Sequence, residues 1–167
     1  FSIAKTANVS LIVDASKHRR RLEVLLQENV GEVRVIYLVR DARAVVNSYD
    51  RKYKSVWRGL RQIRRLDRRA RTINRLYPNT PWITVRYEDM TEDFEKTIGC
   101  ICEFCGLPFQ YKMLKPDTTS FNGVGGNRLR LKPVEAITTD KSWEKSMSAW
   151  KQWLVSILMF GYQRRLG

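Results

Sequence analysis

The residues that most directly suggest chemistry are Arg40 and Ser48, in the stretch IYLVRDARAVVNSYD that covers residues 36–50. The first residues of this stretch are apolar and typical of a buried strand, and a helical pattern begins at about Asp41. Arg40 is therefore expected at the carboxyl end of a strand, beside helix amides that attract anions. Ser48 follows Asp41 by seven positions, on the same helical face, so Arg40 and Ser48 could hold one phosphate. The alternative is an arginine paired with a nearby acid and an exposed serine.

A second group of candidates, Lys17 and His18, follows another apolar run and would lie at the same edge of the sheet. Lys17 could neutralise a leaving phosphate. His18 is the only histidine, and a side chain that titrates near neutrality could accept the proton of an acceptor group. The alternative for His18 is a solvated residue at the start of an arginine-rich helix.

The elements that must position these residues alternate between strands and helices. Apolar, β-branched runs predict strands at residues 9–14, 33–39 and 82–87. Helices are predicted after the first strand, from about Asp41, over about 60–77, over about 88–107 and over about 142–164. This order is typical of an α/β fold, in which helices cover both faces of a parallel sheet and ligands bind at the carboxyl ends of the strands. A length of 167 residues favours a single domain over residues 1–167.

One predicted helix carries an unusual density of arginine. Eight arginines fall between Arg58 and Arg75, opposite an apolar face that repeats at three- and four-residue steps. The simplest interpretation is a solvated helix face. The alternative, which we favour, is a groove for an acidic substrate in which Arg61, Arg65 and Arg68 contact the acceptor.

The charge of the whole chain supports a polyanionic ligand. Lys and Arg number 31 against 17 Asp and Glu, a net charge of +14, which attracts nucleic acid, phosphorylated cofactors, acidic polysaccharides or anionic membranes. No apolar run reaches the roughly 20 residues of a membrane span. Cys100, Cys102 and Cys105 have no nearby histidine, so we predict half-buried helix residues there and no metal site.

Several motifs, in order along the chain, resemble those of sulfotransferases that use 3′-phosphoadenosine 5′-phosphosulfate (PAPS). LVRDARAVVNSY resembles the 3′-phosphate-binding segment of that superfamily, and VDASKHRRRLEVLL is similar to the segment before it in bacterial and carbohydrate-type members. VRYEDM, FEKTIGCICEFCGLPF, GGNRLR and DKSWEKSM are similar to later motifs of the same enzymes. The resemblance spans nearly the whole chain.

This resemblance implies a P-loop-NTPase-like sulfotransferase fold and transfer of a sulfuryl group from PAPS to a hydroxyl or amine, with a carbohydrate acceptor expected. Adenosine 3′,5′-bisphosphate (PAP) would be the product, and no metal is needed. Arg40 and Ser48 would bind the 3′-phosphate, and Tyr87 would lie near the adenine. In the GGNRLR loop, three residues would close over the same phosphate: Asn127, Arg128 and Arg130. A Golgi lumenal location is expected from the resemblance, with the cytoplasm as the alternative.

Two departures from the family pattern qualify this expectation. No Gly-, Ser- and Thr-rich loop for the 5′-phosphosulfate precedes Arg40, so we expect this to be the C-terminal part of a sulfotransferase domain, unable to turn over without a segment that supplies the loop. Ala42 stands where proline is usual, which removes no ligand. Two other functions stay open: a basic module that binds polyanions or nucleic acid, and a non-catalytic relative that binds only the 3′-phosphate nucleotide.

Overall fold

The computed structural model describes residues 6, 8–16, 18–28, 31–115 and 139–166. In chain order these residues form α1 (Arg19–Gln27), β1 (Val35–Val39), α2 (Ala42–Tyr53), α3 (Val56–Leu76), β2 (Trp82–Arg86), α4 (Tyr87–Glu92), α5 (Phe94–Cys105), a 3₁₀ turn (Tyr111–Leu114), α6 (Ser142–Ser146), α7 (Ala149–Leu158) and α8 (Phe160–Gln163). The fold class is α/β, as predicted.

The sheet is small and parallel. β1 pairs with β2 so that Val35 lies opposite Trp82 and Val39 lies opposite Arg86. The α2–α3 hairpin makes the crossover that a parallel connection requires. Because the strands run in the same direction, the residues that follow them, Arg40 and Tyr87, reach the same edge of the sheet.

The α2–α3 hairpin is built by strong local signals. The Asp41 side chain caps α2 by accepting a hydrogen bond from the Arg43 amide at 2.7 Å. α2 ends at Lys54 in the left-handed region, and the Ser55 hydroxyl then caps α3. Gly59 lies so close to α2 that a methyl group there would come within 2.9 Å of the Val46 Cα atom.

The core lies where this hairpin meets the C-terminal helices. It is a cluster of buried side chains from α2, α3 and the segment after Ser146: Ala42, Val46, Leu60, Ile63, Met147, Val155, Met159 and Tyr162. Tyr162 also donates a hydrogen bond from its hydroxyl to the Arg40 carbonyl at 3.0 Å. The C-terminal helices therefore support the end of β1 directly.

The predicted strand at residues 9–14 is wrong. This segment forms neither strand nor helix in the described structure, and its side chains are exposed, Val13 by 79%. A β-branched run fits a pleated surface, but it becomes a strand only when a neighbouring strand pairs with it. The expectation of helices on both faces is also not met at β1, where Ile36 and Leu38 are 42% and 55% exposed among the described residues.

Two predicted helices are interrupted. The helix expected over about 88–107 divides at Asp93, which leaves helical geometry and whose side chain accepts from the Lys96 amide to cap α5. The helix expected over about 142–164 divides at Met147 and Ser148, which are extended, and again at Met159. Gly106 ends α5 in the left-handed region, as the Gly-Leu-Pro signal predicts.

Candidate anion site at the carboxyl edge of the sheet

The side chain of Arg40 lies between an aromatic ring and a carboxylate. Its guanidinium carbon is 4.5 Å from the centroid of the Tyr87 ring, within the range of a cation–π contact. One terminal nitrogen donates to the Asp140 side chain at 3.0 Å and to the Asp140 carbonyl at 3.3 Å. The Arg40 Nε atom is buried and has no hydrogen-bond partner among the described residues. The guanidinium thus keeps capacity for a further acceptor.

The fold explains why Arg40 and Tyr87 meet. Each follows the last residue of a strand, and the two strands are parallel neighbours with Val39 opposite Arg86. The sequence predicted both residues at the ligand edge, and the structure brings them together there. Their proposed contacts with a nucleotide stay predictions.

An acid paired with Arg40 was the alternative that the sequence left open, and the structure identifies that acid as Asp140. Hydrogen bonds from the Ser142 side chain and backbone, followed by the contact with Arg40, lower the pKa of Asp140 to about 2. Its carboxylate is therefore ionised at neutral pH. Asp140 is half exposed, so an incoming anion could replace it without opening the core. Nothing in the sequence marks this pairing, because Asp140 lies 100 positions from Arg40.

The start of α2 forms a second polar layer next to Arg40. The Asp41 amide donates to a carboxylate oxygen of Glu88 at 3.0 Å. The Asp41 side chain pairs with Arg43 at 2.6 Å. Burial alone would raise the pKa of Asp41, but the hydrogen bonds from Arg43 outweigh it and lower that pKa. The Arg43 guanidinium lies 4.2 Å from the centroid of the Trp143 indole. Asp41 and Glu88 therefore hold the backbone at the site.

The other Glu88 oxygen, Oε2, is buried and has no hydrogen-bond partner among the described residues. Glu88 Oε2 and Arg40 Nε are therefore two buried polar atoms at this edge that make no hydrogen bond within the described chain. Neither was predicted, although Glu88 belongs to the VRYEDM motif. The Arg40 N–H group can donate to an anionic ligand, whereas the Glu88 oxygen can only accept and would need a ligand hydroxyl or amine.

Ser48 lies on the exposed side of α2. Seven residues separate it from Asp41, roughly 10 Å along a helix axis. The structure therefore places it further from Arg40 than a single hydrogen bond spans, and shared contact with one phosphate stays a prediction.

The remaining predicted site residues divide between described and undescribed parts of the chain. His18 precedes α1, is exposed and accepts hydrogen bonds on its carbonyl from the Arg21 and Leu22 amides. Four predicted residues lie outside the described residues: Lys17, Asn127, Arg128 and Arg130. The described chain resumes at this edge after residue 138, where the Thr139 and Thr91 hydroxyls are 2.7 Å apart and Asp140 contacts Arg40.

The arginines predicted to contact the acceptor line one open groove. Its volume is about 600 Å³, and its lining residues on α3 are Trp57, Leu60, Arg61, Arg64, Arg65, Arg68, Arg69 and Thr72. α2 leaves the carboxyl end of β1 and α3 runs back along it, with Gly59 against Val46.

Within the described residues, no group of three or more His, Cys, Asp or Glu side chains is arranged to hold a metal ion. Cys100 is exposed, Cys102 is buried with its sulfur 3.6 Å from that of Met113, and Cys105 is half-buried. No helix among the described residues combines the length and apolarity needed to cross a membrane.

Comparison with known proteins identifies the class. A model of the sulfotransferase family matches residues 12–111, which include β1, β2, Arg40, Ser48, Tyr87 and the arginine groove. No curated protein and no solved structure matches the chain. The match covers more than half of the sequence, and the chain belongs to the sulfotransferase family.

Proposed function

We propose that this protein is a PAPS-dependent sulfotransferase in which Arg40 holds the 3′-phosphate of the nucleotide. The observation that carries the proposal is the guanidinium of Arg40 at the carboxyl edge of a parallel sheet, stacked on Tyr87, with its Nε buried and unused by the described residues. A phosphate that replaces Asp140 would accept charge-assisted hydrogen bonds from this fork. The chain is proposed to form the C-terminal part of a P-loop-like sulfotransferase fold.

The roles of the chain's own residues follow from their positions. Arg40 fixes the ribose end of the nucleotide, and Tyr87 offers an aromatic face beside it. Ser48 and the predicted loop residues Asn127, Arg128 and Arg130 add contacts to the same phosphate. Together they hold one substrate in place, which is a large part of what in-line group transfer requires.

When bound, the nucleotide supplies the sulfuryl group, which passes to an acceptor hydroxyl or amine while adenosine 3′,5′-bisphosphate leaves. In this proposal Lys17 offsets charge on the departing phosphate. His18 accepts the proton of the acceptor as a general base.

We further propose that the acceptor is an acidic carbohydrate. Arg61, Arg65 and Arg68 are exposed along one face of α3 and line a groove that also contains Trp57. Guanidinium groups match carboxylate and sulfate oxygens, and a tryptophan face can pack on a sugar ring. The location of the protein, in the Golgi lumen or in the cytoplasm, stays a prediction.

Transfer of labelled sulfate from PAPS by the full-length protein tests the function. We expect label on a heparan- or chondroitin-like glycan and less on an uncharged glycan. Binding of adenosine 3′,5′-bisphosphate without transfer to any acceptor would show a non-catalytic relative. Binding of RNA or DNA that is unaffected by the nucleotide, together with no transfer, would favour the basic polyanion-binding module instead.

A further inference from the structure

Helix α7, the last helix but one, is apolar on two opposite sides. One side enters the core through Val155, which is fully buried. The opposite side carries Trp150, Trp153 and Ile157, and Phe160 follows at the start of α8. These four side chains, which we call the aromatic ridge, are 62%, 66%, 53% and 63% exposed. Steps of three and four residues align Trp150, Trp153 and Ile157 as one stripe on α7, and Phe160 follows after the break at Met159.

The charges around the aromatic ridge are mainly positive, although Glu144 is exposed before it and Asp50 pairs with Lys151 at 2.7 Å. No Asp or Glu occurs in residues 145–167. Exposed Lys145 and Arg164 lie before and after the ridge in sequence. From α3, Arg64 reaches the carbonyl of Leu158 on α7 at 3.2 Å, so the arginine-rich helix borders α7.

We infer that the aromatic ridge is the surface by which this protein binds the face of an anionic lipid bilayer. Tryptophan and phenylalanine insert into the boundary between headgroups and acyl chains, and arginine or lysine beside them pairs with anionic headgroups. The described helices do not cross a membrane, so the contact is peripheral. This inference rests on α7 and its surroundings and does not depend on the proposed function.

A second copy of the chain fits the aromatic ridge less well. The four exposed side chains offer roughly 500 Å², since a large side chain of this kind presents about 150–250 Å² when fully exposed, whereas a stable interface buries about 800 Å² per partner. The heptad-like spacing spans two repeats, fewer than the three to four that sustain a coiled coil. A net charge of +14 also opposes self-association.

Vesicle sedimentation tests the inference with two lipid compositions. We expect the protein to bind vesicles of phosphatidylcholine mixed with phosphatidylserine at least about tenfold more tightly than vesicles of phosphatidylcholine alone. Replacing both Trp150→Ser and Trp153→Ser should weaken binding to the mixed vesicles about tenfold or more. Tyr111→Ser removes an aromatic side chain that is 74% exposed elsewhere, and it should leave binding unchanged.

The contrary results are distinct. Absence of vesicle binding, or equal binding by the wild type and the double variant, overturns the inference. If light scattering instead shows a dimer that the two tryptophan substitutions dissociate, the ridge is a subunit interface and the inference is wrong. Far-UV circular dichroism shows whether the double variant is folded like the wild type. If the double variant is not, vesicle binding by the single Trp153→Ser variant is compared with the wild type instead.

Discussion

The Asp140 carboxylate occupies a face of Arg40 that an incoming phosphate would use. The carboxylate is held there by the Ser142 amide as well as by Arg40. A phosphate that displaces it from Arg40 therefore leaves its contact with Ser142 in place. Removing its charge while keeping its shape should therefore favour a nucleotide phosphate.

The corresponding prediction concerns Asp140→Asn. The amide keeps an oxygen that can accept from the Ser142 amide but no longer competes with an anion for Arg40. We expect the dissociation constant for adenosine 3′,5′-bisphosphate to fall several-fold, because a like charge close to the bound phosphate is removed. Isothermal titration calorimetry measures this change. Weaker binding by the variant would show that Asp140 orients Arg40 and does not compete with the ligand.

Tyr162 belongs to the core and donates a hydrogen bond to the Arg40 carbonyl. Its ionisation should therefore change the free energy of unfolding. Burial, followed by the nearby Tyr37 hydroxyl, raises the pKa of Tyr162 to about 12. The folded state therefore holds the proton more tightly than the unfolded state, whose tyrosine titrates near pH 10. The stability that this provides is fully present below about pH 10 and is lost as the pH rises towards 12.

We predict that the wild type loses more stability than Tyr162→Phe between about pH 9 and pH 11.5, by roughly 1–2 kcal/mol. Urea unfolding at the two pH values measures the difference. At neutral pH the variant should be about 1 kcal/mol less stable, because the hydrogen bond to the Arg40 carbonyl is lost. Parallel losses in both proteins at high pH would contradict the assignment to Tyr162.

At the scale of elements, the sequence predicted most accurately the parts whose signals are local. β1 and α2 lie close to their predicted positions because an apolar run and the start of a helical pattern at Asp41 each act within a few residues. α3 follows its predicted apolar repeat but begins at Val56, four residues earlier than predicted, after the Ser55 cap. The prediction of a strand at residues 9–14 was wrong because a strand requires hydrogen bonds to a neighbouring strand as well as a β-branched composition. The prediction of one long C-terminal helix was wrong because the backbone is extended at Met147 and Ser148, where no Gly or Pro marks a break.

In the candidate site, too, the features with local sequence signals were predicted and those that depend on the tertiary fold were not. Arg40 and Tyr87 were placed correctly at one edge, since each follows a strand and parallel strands end together. Asp140, Trp143 and Glu88 contact this edge through the tertiary fold, and their sequence positions alone contain no such information. Helix rise places Ser48 roughly 10 Å further along α2 than Asp41, and its contact with the same phosphate as Arg40 stays a prediction.

The contact between α2 and α3 leads to a prediction about a glycine. A methyl group at Gly59 would approach the Val46 Cα atom to 2.9 Å, and backbone atoms cannot move aside cheaply. We expect Gly59→Ala to lower the free energy of unfolding by about 1–3 kcal/mol. Gly99→Ala on α5 is the matched control, because nothing lies within 4 Å of the added carbon. It should be neutral or stabilising, and equal losses in the two variants would contradict the packing account.

At the scale of the whole molecule, the position of the positive charge should matter more than its amount. Arg61, Arg65 and Arg68 line one groove, and replacing all three by Ala should reduce the salt dependence of heparin binding by roughly 2–3 in the log–log slope. A control variant removes the same charge from exposed positions on other elements by Arg20→Ala, Lys96→Ala and Lys112→Ala. Binding at several salt concentrations compares the two. Similar slopes would show a diffuse effect of net charge and no defined groove.

The central claim is that Arg40 exists to hold a nucleotide 3′-phosphate, and the ratio of two affinities tests it most directly. Titrations with adenosine 3′,5′-bisphosphate and adenosine 5′-monophosphate should show the bisphosphate binding about ten- to a hundredfold more tightly to the wild type. In Arg40→Ala the ratio should approach one, whereas Arg75→Ala, which removes an exposed arginine at the end of α3, should preserve it. A wild-type ratio near one, or a ratio that survives Arg40→Ala, would contradict the assignment.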